Sequence, residues 1–307
     1  MRFTALFAVM LAALPVQAQT APDWTDELVV EARAPGPVFW RIASDTSEVW
    51  VLGRLPALPA GQPWNSARLE SLLRGARAVI TPPRATAGLF TVIGMLGDLR
   101  LPDEGRIEDH ISSAALSSLV DTALAIGQTG GRYTRLKPVV AAFLLRGDAD
   151  KFLQLQPQQP NGRLFDLARK ARVKLQDGED YDAGPLMREL AALPAEESEA
   201  CMRQSLDDVQ FQMAHAVPAA DAWARGDLKT LRAHVREPAF NACMKKTASY
   251  QAMEARAVDD IVAALTDALR QPGKSVAVFD INALLARQSG AFDRLRAMGY
   301  RIDAPTD

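Results

Sequence analysis

Three histidines (His110, His215 and His234) and two cysteines (Cys201 and Cys243) are the whole stock of imidazole and thiolate side chains in this 307-residue sequence. A zinc site of the usual nitrogen and sulfur ligands would need nearly all of them together. Their spacing does not gather them. His110 follows Glu108 and Asp109 near a predicted helix start and reads as a satisfied surface histidine. His215 and His234 fall in helical stretches without an HxxxH or HExxH pattern, and read the same way. There is neither a GxSxG elbow for a serine nucleophile nor a GxxxxGK loop for phosphate. The acids Asp177, Glu179, Asp180 and Asp182 offer oxygen ligands of the kind calcium takes, but they lack the twelve-residue EF-hand order and read as a solvent-facing acidic loop.

Charge narrows the function classes further. With 35 Lys and Arg against 37 Asp and Glu, the formal charge is −2, which argues against a nucleic-acid partner, whose footprint would be a basic face. Hydrophobic residues at 48% supply enough apolar surface for a packed core. Residues 1–18 have a short positive start, an apolar run from Phe3 to Leu14, and the small-x-small ending Val16-Gln17-Ala18. This is the pattern of a secretory signal peptide, and the run is shorter than the roughly 18 apolar residues of a membrane anchor. Cleavage near Ala18 predicts a periplasmic or secreted product whose only relation to the membrane is the cleaved segment.

Export decides how the cysteines are read. In an oxidising compartment a lone pair of thiols reads as a disulfide, and no CxxC spacing supports a reactive thiol. A Cys201 to Cys243 bridge would tie a helix over 196–212 to one beginning near Pro238.

The elements around these residues alternate between strand and helix. Residues 38–43 and 48–52 are β-branched and aromatic runs flanking Ser44-Asp45-Thr46-Ser47, a predicted hairpin. Leu69, Leu72 and Leu73 have helical spacing within 65–75, and 76–81 returns to strand character before Pro82-Pro83. Residues 88–170 are predicted helical, with breaks at 101–105 and 128–132, and 173–176 is a short strand candidate. Helices follow at 185–193 and 195–216, then two short turns or helices at 221–226 and 227–235, then the longest predicted helical stretch at 238–270. A buried strand at 275–280, a helix at 291–298 and a strand at 300–302 close the chain. The expectation is an α/β fold with a central mixed β-sheet built from strands near both ends of the chain and a large helical middle. In domain terms, this is one domain over 19–307 with a helical insertion at about 84–270.

Several segments together resemble the TraB/GumN family, related to the Tiki metalloproteases and the erythromycin-esterase and ChaN-like group. They are Val51-Leu52-Gly53-Arg54-Leu55-Pro56-Ala57-Leu58-Pro59 after the hairpin, Trp64, Arg135-Leu136-Lys137-Pro138, Ala222-Trp223-Ala224-Arg225-Gly226-Asp227-Leu228, and the ending Met298-Gly299-Tyr300-Arg301. The likeness runs from Val38 to Asp303. It implies two glycine-x-x-histidine motifs at strand ends and a glutamate after the strand that follows the first helix, groups able to hold a metal that activates water. Here Gly53 is kept, but Pro56 stands at the first histidine position and Ala283 or Leu284 at the second. The glutamate position falls at Thr81 or Pro82, and a family Arg-Asn pair falls near Met253-Glu254.

The expected consequence is a pseudo-enzyme with no catalytic residues, no metal and no cofactor, acting on an unknown small molecule or protein partner. Gly53, Arg54, Pro56, Asp280 and Asn282 are the candidate cleft residues at the motif positions. There a cation, a carboxylate and an amide would suit a polar ligand, whereas an Arg54 to Asp280 ion pair would serve as structural glue in place of the metal. Two competing functions are a metal-dependent hydrolase or peptidase whose site has drifted toward Asp280, and an envelope assembly or interaction component.

Overall fold

The computed structural model describes residues 36–86, 97, 99–102, 105–156, 159–281, 284 and 290–305. Residues 1–18, expected from the sequence to be a signal peptide, lie outside the described residues, as do Asn282 and Ala283.

The predicted hairpin forms as β1 (Phe39–Ala43) and β2 (Ser47–Arg54), antiparallel and in register from Phe39 opposite Leu52 to Ala43 opposite Glu48. In β2, burial alternates from Ser47 to Val51, with Glu48 and Trp50 half-buried, and then Leu52 and Gly53 are buried as well, where both faces of the strand are covered. After β3 (Leu58–Pro59), helix α1 (Ala67–Leu73) buries Leu69, Leu72 and Leu73, and β4 (Ala76–Ile80) and β5 (Arg84–Thr86) follow. The helical middle holds α2 (Ser113–Ala125), α3 (Pro138–Phe152), β6 (Leu155–Gln156), α4 (Gln159–Lys170), β7 (Lys174–Gln176), β8 (Asp180–Asp182) and α5 (Gly184–Ala191). It continues with α6 (Ala195–Arg225), α7 (Leu228–His234), α8 (Asn241–Met244) and α9 (Ala248–Arg270). Strand β9 (Gly273–Asp280), α10 (Gly290–Ala297) and β10 (Arg301–Asp303) complete the chain.

The central sheet has the order β10-β1-β2-β9-β4-β7, antiparallel on the β1 side and parallel from β2 through β7. The fold is therefore mixed α/β, with sheet strands from both ends of the chain. Strand β9 lies between two parallel neighbours, so Val276, Ala277, Val278 and Phe279 form an unbroken buried run rather than an alternating one. The short strand at 174–176 joins the sheet as its outer edge on β4. The acidic loop after it is neutralised rather than bare: Asp180 pairs with Arg84, and Glu179 with Arg256.

Two helical boundaries differ from the sequence reading. Residues 195–225 are one helix of 31 residues that runs through Pro218, so the break predicted at 216 is absent. Pro218 removes one helical hydrogen bond, but it sits among strong helix formers, and burial of Ala219, Ala220, Ala222 and Trp223 beyond it holds the last turns in place. The stretch 238–270 is instead interrupted. Thr247 takes extended backbone and its hydroxyl donates to the carbonyl of Met244, which separates α8 from α9. Among the described residues the longest helix is thus α6. Among the described residues no helix is long and apolar enough to cross a membrane.

A second core lies wholly among helices, where Leu119, Tyr133, Leu145, Leu206 and Val209 are buried. Asp148 is buried there with a side-chain exposure of 3%. It accepts hydrogen bonds from Arg132 Nε at 2.6 Å and Tyr133 Oη at 3.0 Å. Burial by itself would raise its carboxyl, but the bonds from Arg132 and Tyr133 outweigh this and hold it below the usual carboxylate range. A depressed carboxyl contributes stability that is present above its unfolded-state value and is lost as pH falls through the folded-state value. We expect Asp148→Asn to cost about 2 kcal/mol near neutral pH, with the gap between variant and parent closing below about pH 4. Urea denaturation across a pH series measures this, and a gap that stays constant into acid refutes it.

Candidate functional site

Strands β2 and β9 run parallel and end together, with Gly53 opposite Phe279 and Arg54 opposite Asp280. The carboxyl ends of parallel strands are where open α/β sheets bind their ligands. Gly53 is fixed there by packing. A Cβ on it would collide with Ile281 Cδ1 and stand 2.8 Å from Trp40 Cζ3, so any side chain there would force Ile281 and Trp40 to move. Its carbonyl accepts the indole N–H of Trp223 at 2.7 Å. Trp223 is itself buried and meets Trp64 edge to face at 5.4 Å between ring centres.

Three of the segments that carried the family resemblance therefore converge on one structural knot. The segment that carries Trp223 has a conformational role as well: Gly226 takes φ +73 to end α6, and a Cβ there would stand 2.5 Å from the carbonyl oxygen of Gly36. Asp227 then accepts from the Thr230 amide at 2.9 Å and starts α7.

The ion pair expected between the strand ends does not form. Arg54 and Asp280 face each other in register, yet among the described residues no salt bridge joins the two, and Arg54 Nε is buried without a hydrogen-bond partner. The register follows from the strands. The direction of two long side chains at strand ends does not.

Beyond Arg54 the chain leaves the sheet, and Leu55, Pro56 and Ala57 line a cleft of about 150 Å³. Its other walls come from Arg146 on α3, from Phe211, Gln212 and His215 on α6, and from His234 and Arg236 at the end of α7. Among the described residues, Pro56 is the one candidate motif residue on this wall; Gly53, Arg54 and Asp280 are not part of it.

The same cleft brings together two residues that look unrelated in sequence. His215 and His234 face each other with 2.8 Å between their Nδ1 atoms. Phe211 stacks on His215 at 4.0 Å, and the guanidinium of Arg236 lies over Phe211, 4.2 Å from its ring centre. Asp208 anchors the wall by accepting from the amides of Ala239 at 2.7 Å and Phe240 at 3.0 Å, and from Arg236 at 3.3 Å. His110 lies elsewhere, just after a single 3-10 turn over Ile107–Asp109. Cys201 and Cys243 form a disulfide with their Cα atoms 5.4 Å apart.

Among the described residues no group of three or more His, Cys, Asp or Glu side chains is placed to hold a metal ion. What the cleft offers chemically is hydrogen-bond donors among apolar side chains. A family model described as the TraB/PrgY/gumN family matches residues 38–304. No curated protein and no solved structure matches the chain.

Proposed function

The chain belongs to the TraB/PrgY/gumN family, and from that premise we propose that it is a non-catalytic member, a pseudo-enzyme that acts by binding a ligand at the cleft beside Pro56. The observation that carries this reading is the fate of the first motif. Gly53 is retained for packing, and the position that the resemblance assigns to a metal-binding imidazole is Pro56, a side chain with no lone pair to give. The other positions agree. Thr81 has its hydroxyl occupied by Asp177 at 3.2 Å and by the Gly178 amide at 3.3 Å, and Leu284 offers only hydrocarbon. The side chains at these positions do not fit a metal of the family's kind, since a proline, a hydroxyl already engaged and a leucine cannot replace imidazole and carboxylate donors.

The working compartment belongs to the same proposal. The apolar segment 3–14 with its small-x-small ending supports export, and the Cys201 to Cys243 bridge fits an oxidising surrounding. The protein then works in the periplasm or outside the cell.

Purified, oxidised protein is expected to carry no stoichiometric divalent metal by elemental mass spectrometry and to turn over no member of a peptide and ester panel, with or without added zinc, manganese or cobalt. Metal-dependent turnover that disappears in Asp280→Ala would instead establish a drifted hydrolase, and the non-catalytic reading would fall.

A further inference from the structure

Two imidazoles that meet at their Nδ1 atoms constrain where protons sit. A hydrogen bond across 2.8 Å needs an N–H on one ring and a lone pair on the other. The accepting ring must then carry its proton on Nε2. Whichever of His215 and His234 is the donor, the pair presents at least one Nε2–H, and neither Nε2 has a protein partner among the described residues.

Both rings line the cleft, as does Arg146, which makes no hydrogen bond or ion pair among the described residues. The acceptors in the same walls are already committed. The two oxygens of Asp208 are taken by two backbone amides and Arg236, and Gln212 spends its amide nitrogen on Asp150 at 2.6 Å, which leaves one neutral carbonyl oxygen. The walls thus combine cationic, donor-rich groups with the apolar side chains of Leu55, Pro56, Ala216 and Val235. A cavity of about 150 Å³ has room for a ligand of about one ring.

We infer that this cleft binds a small organic carboxylate with a one-ring apolar body, its carboxylate held by Arg146 and the imidazole pair, its body against Leu55, Pro56, Ala216 and Val235. The planar guanidinium suits a carboxylate because two parallel N–H bonds match its two oxygens. This rests on the non-catalytic reading and adds the chemical class of the ligand.

The test is a fluorine-observed titration of 4-fluorobenzoate against the full oxidised chain, with 4-fluorobenzyl alcohol as the neutral counterpart. The acid should bind saturably and about tenfold or more tighter than the alcohol. Arg146→Gln, which loses no described contact and should keep its melting temperature, should weaken the acid about tenfold while leaving the alcohol unchanged. Ala216→Phe, which fills the cleft, should abolish binding of both. No saturable binding of the acid, equal affinity for acid and alcohol, or indifference to Arg146→Gln each overturns the inference. If metal-free, inert protein fails to bind the acid, the ligand class falls and the non-catalytic reading stands. If the protein turns over peptides or esters with metal, that reading falls instead.

Discussion

Trp223→Ala should lower the free energy of unfolding by about 4 kcal/mol, the range for emptying a large aromatic site in a core. The indole is among the largest fully buried side chains and meets Trp64 edge to face. Truncation also orphans the Gly53 carbonyl, which now accepts its N–H at 2.7 Å. Trp223→Phe separates the two effects. It keeps most of the ring volume and removes the donor, so it should cost about 1–3 kcal/mol for an unmet buried acceptor with some imperfect packing. Urea denaturation followed by far-ultraviolet circular dichroism suits both variants, since the loss of an indole distorts fluorescence. A Trp223→Ala loss under about 1 kcal/mol would mean that the junction of β2 with the end of α6 is not a stabilising knot, and that the tryptophan is kept for some other purpose.

That knot also explains which parts of the molecule are readable from sequence. The hairpin, the unbroken apolar run of β9 and the cysteine pair announce themselves because each follows from local chemistry: alternation, continuous burial and the scarcity of other thiols. The sheet follows from these, since β2 and β9 are parallel neighbours whose ends carry Gly53 and Asp280. Helix α6 departs from the sequence reading because Pro218 ends a helix on local grounds alone, and only the tertiary burial of Ala219, Ala220 and Trp223 outweighs it.

The continuity of α6 has a consequence for the cleft. Because α6 runs to Gly226, the left-handed cap and the Asp227 start of α7 make an antiparallel helix pair. His215 lies about 16 Å and His234 about 12 Å along the chain axis from that turn, at 1.5 Å per residue, so the two rings fall at nearly the same level. The 3.6-residue period holds no record of this, because the information lies in the turn. Pro56 and the Arg54–Asp280 strand ends can be located as motif positions from sequence, but nothing in their order reveals that they belong to different surroundings.

Removing the Cys201–Cys243 bridge should cost about 4 kcal/mol on the chain-entropy account, since it closes a loop with a sequence separation of 42. Both sulfurs are buried beside Val139, Leu190 and Phe240. The double variant Cys201→Ala with Cys243→Ala is therefore a cleaner comparison than serine, which would bury two unmet hydroxyls. Dithiothreitol on the parent should reproduce its loss, and the denaturant slope should rise because the unfolded chain is no longer crosslinked. Stability unchanged on reduction would refute the account.

The cleft adds a sharper expectation, because the wall segment carrying Arg236 and Pro238 is fastened to α6 at three places: Cys201, Asp207 and Asp208. The disulfide holds it at Cys243; Asp208, two turns along the same helix from Cys201, holds it through the amides of Ala239 and Phe240; and Asp207 accepts from Arg236 at 2.6 Å. The two carboxylates keep the segment against α6 when the bridge is lost. Loss of the bridge should thus weaken the global fold while leaving binding at the cleft nearly intact under native conditions. Adding Asp207→Ala and Asp208→Ala to the reduced protein should release the wall, and hydrogen exchange at 236–243 should accelerate far more than reduction and the double substitution would give separately.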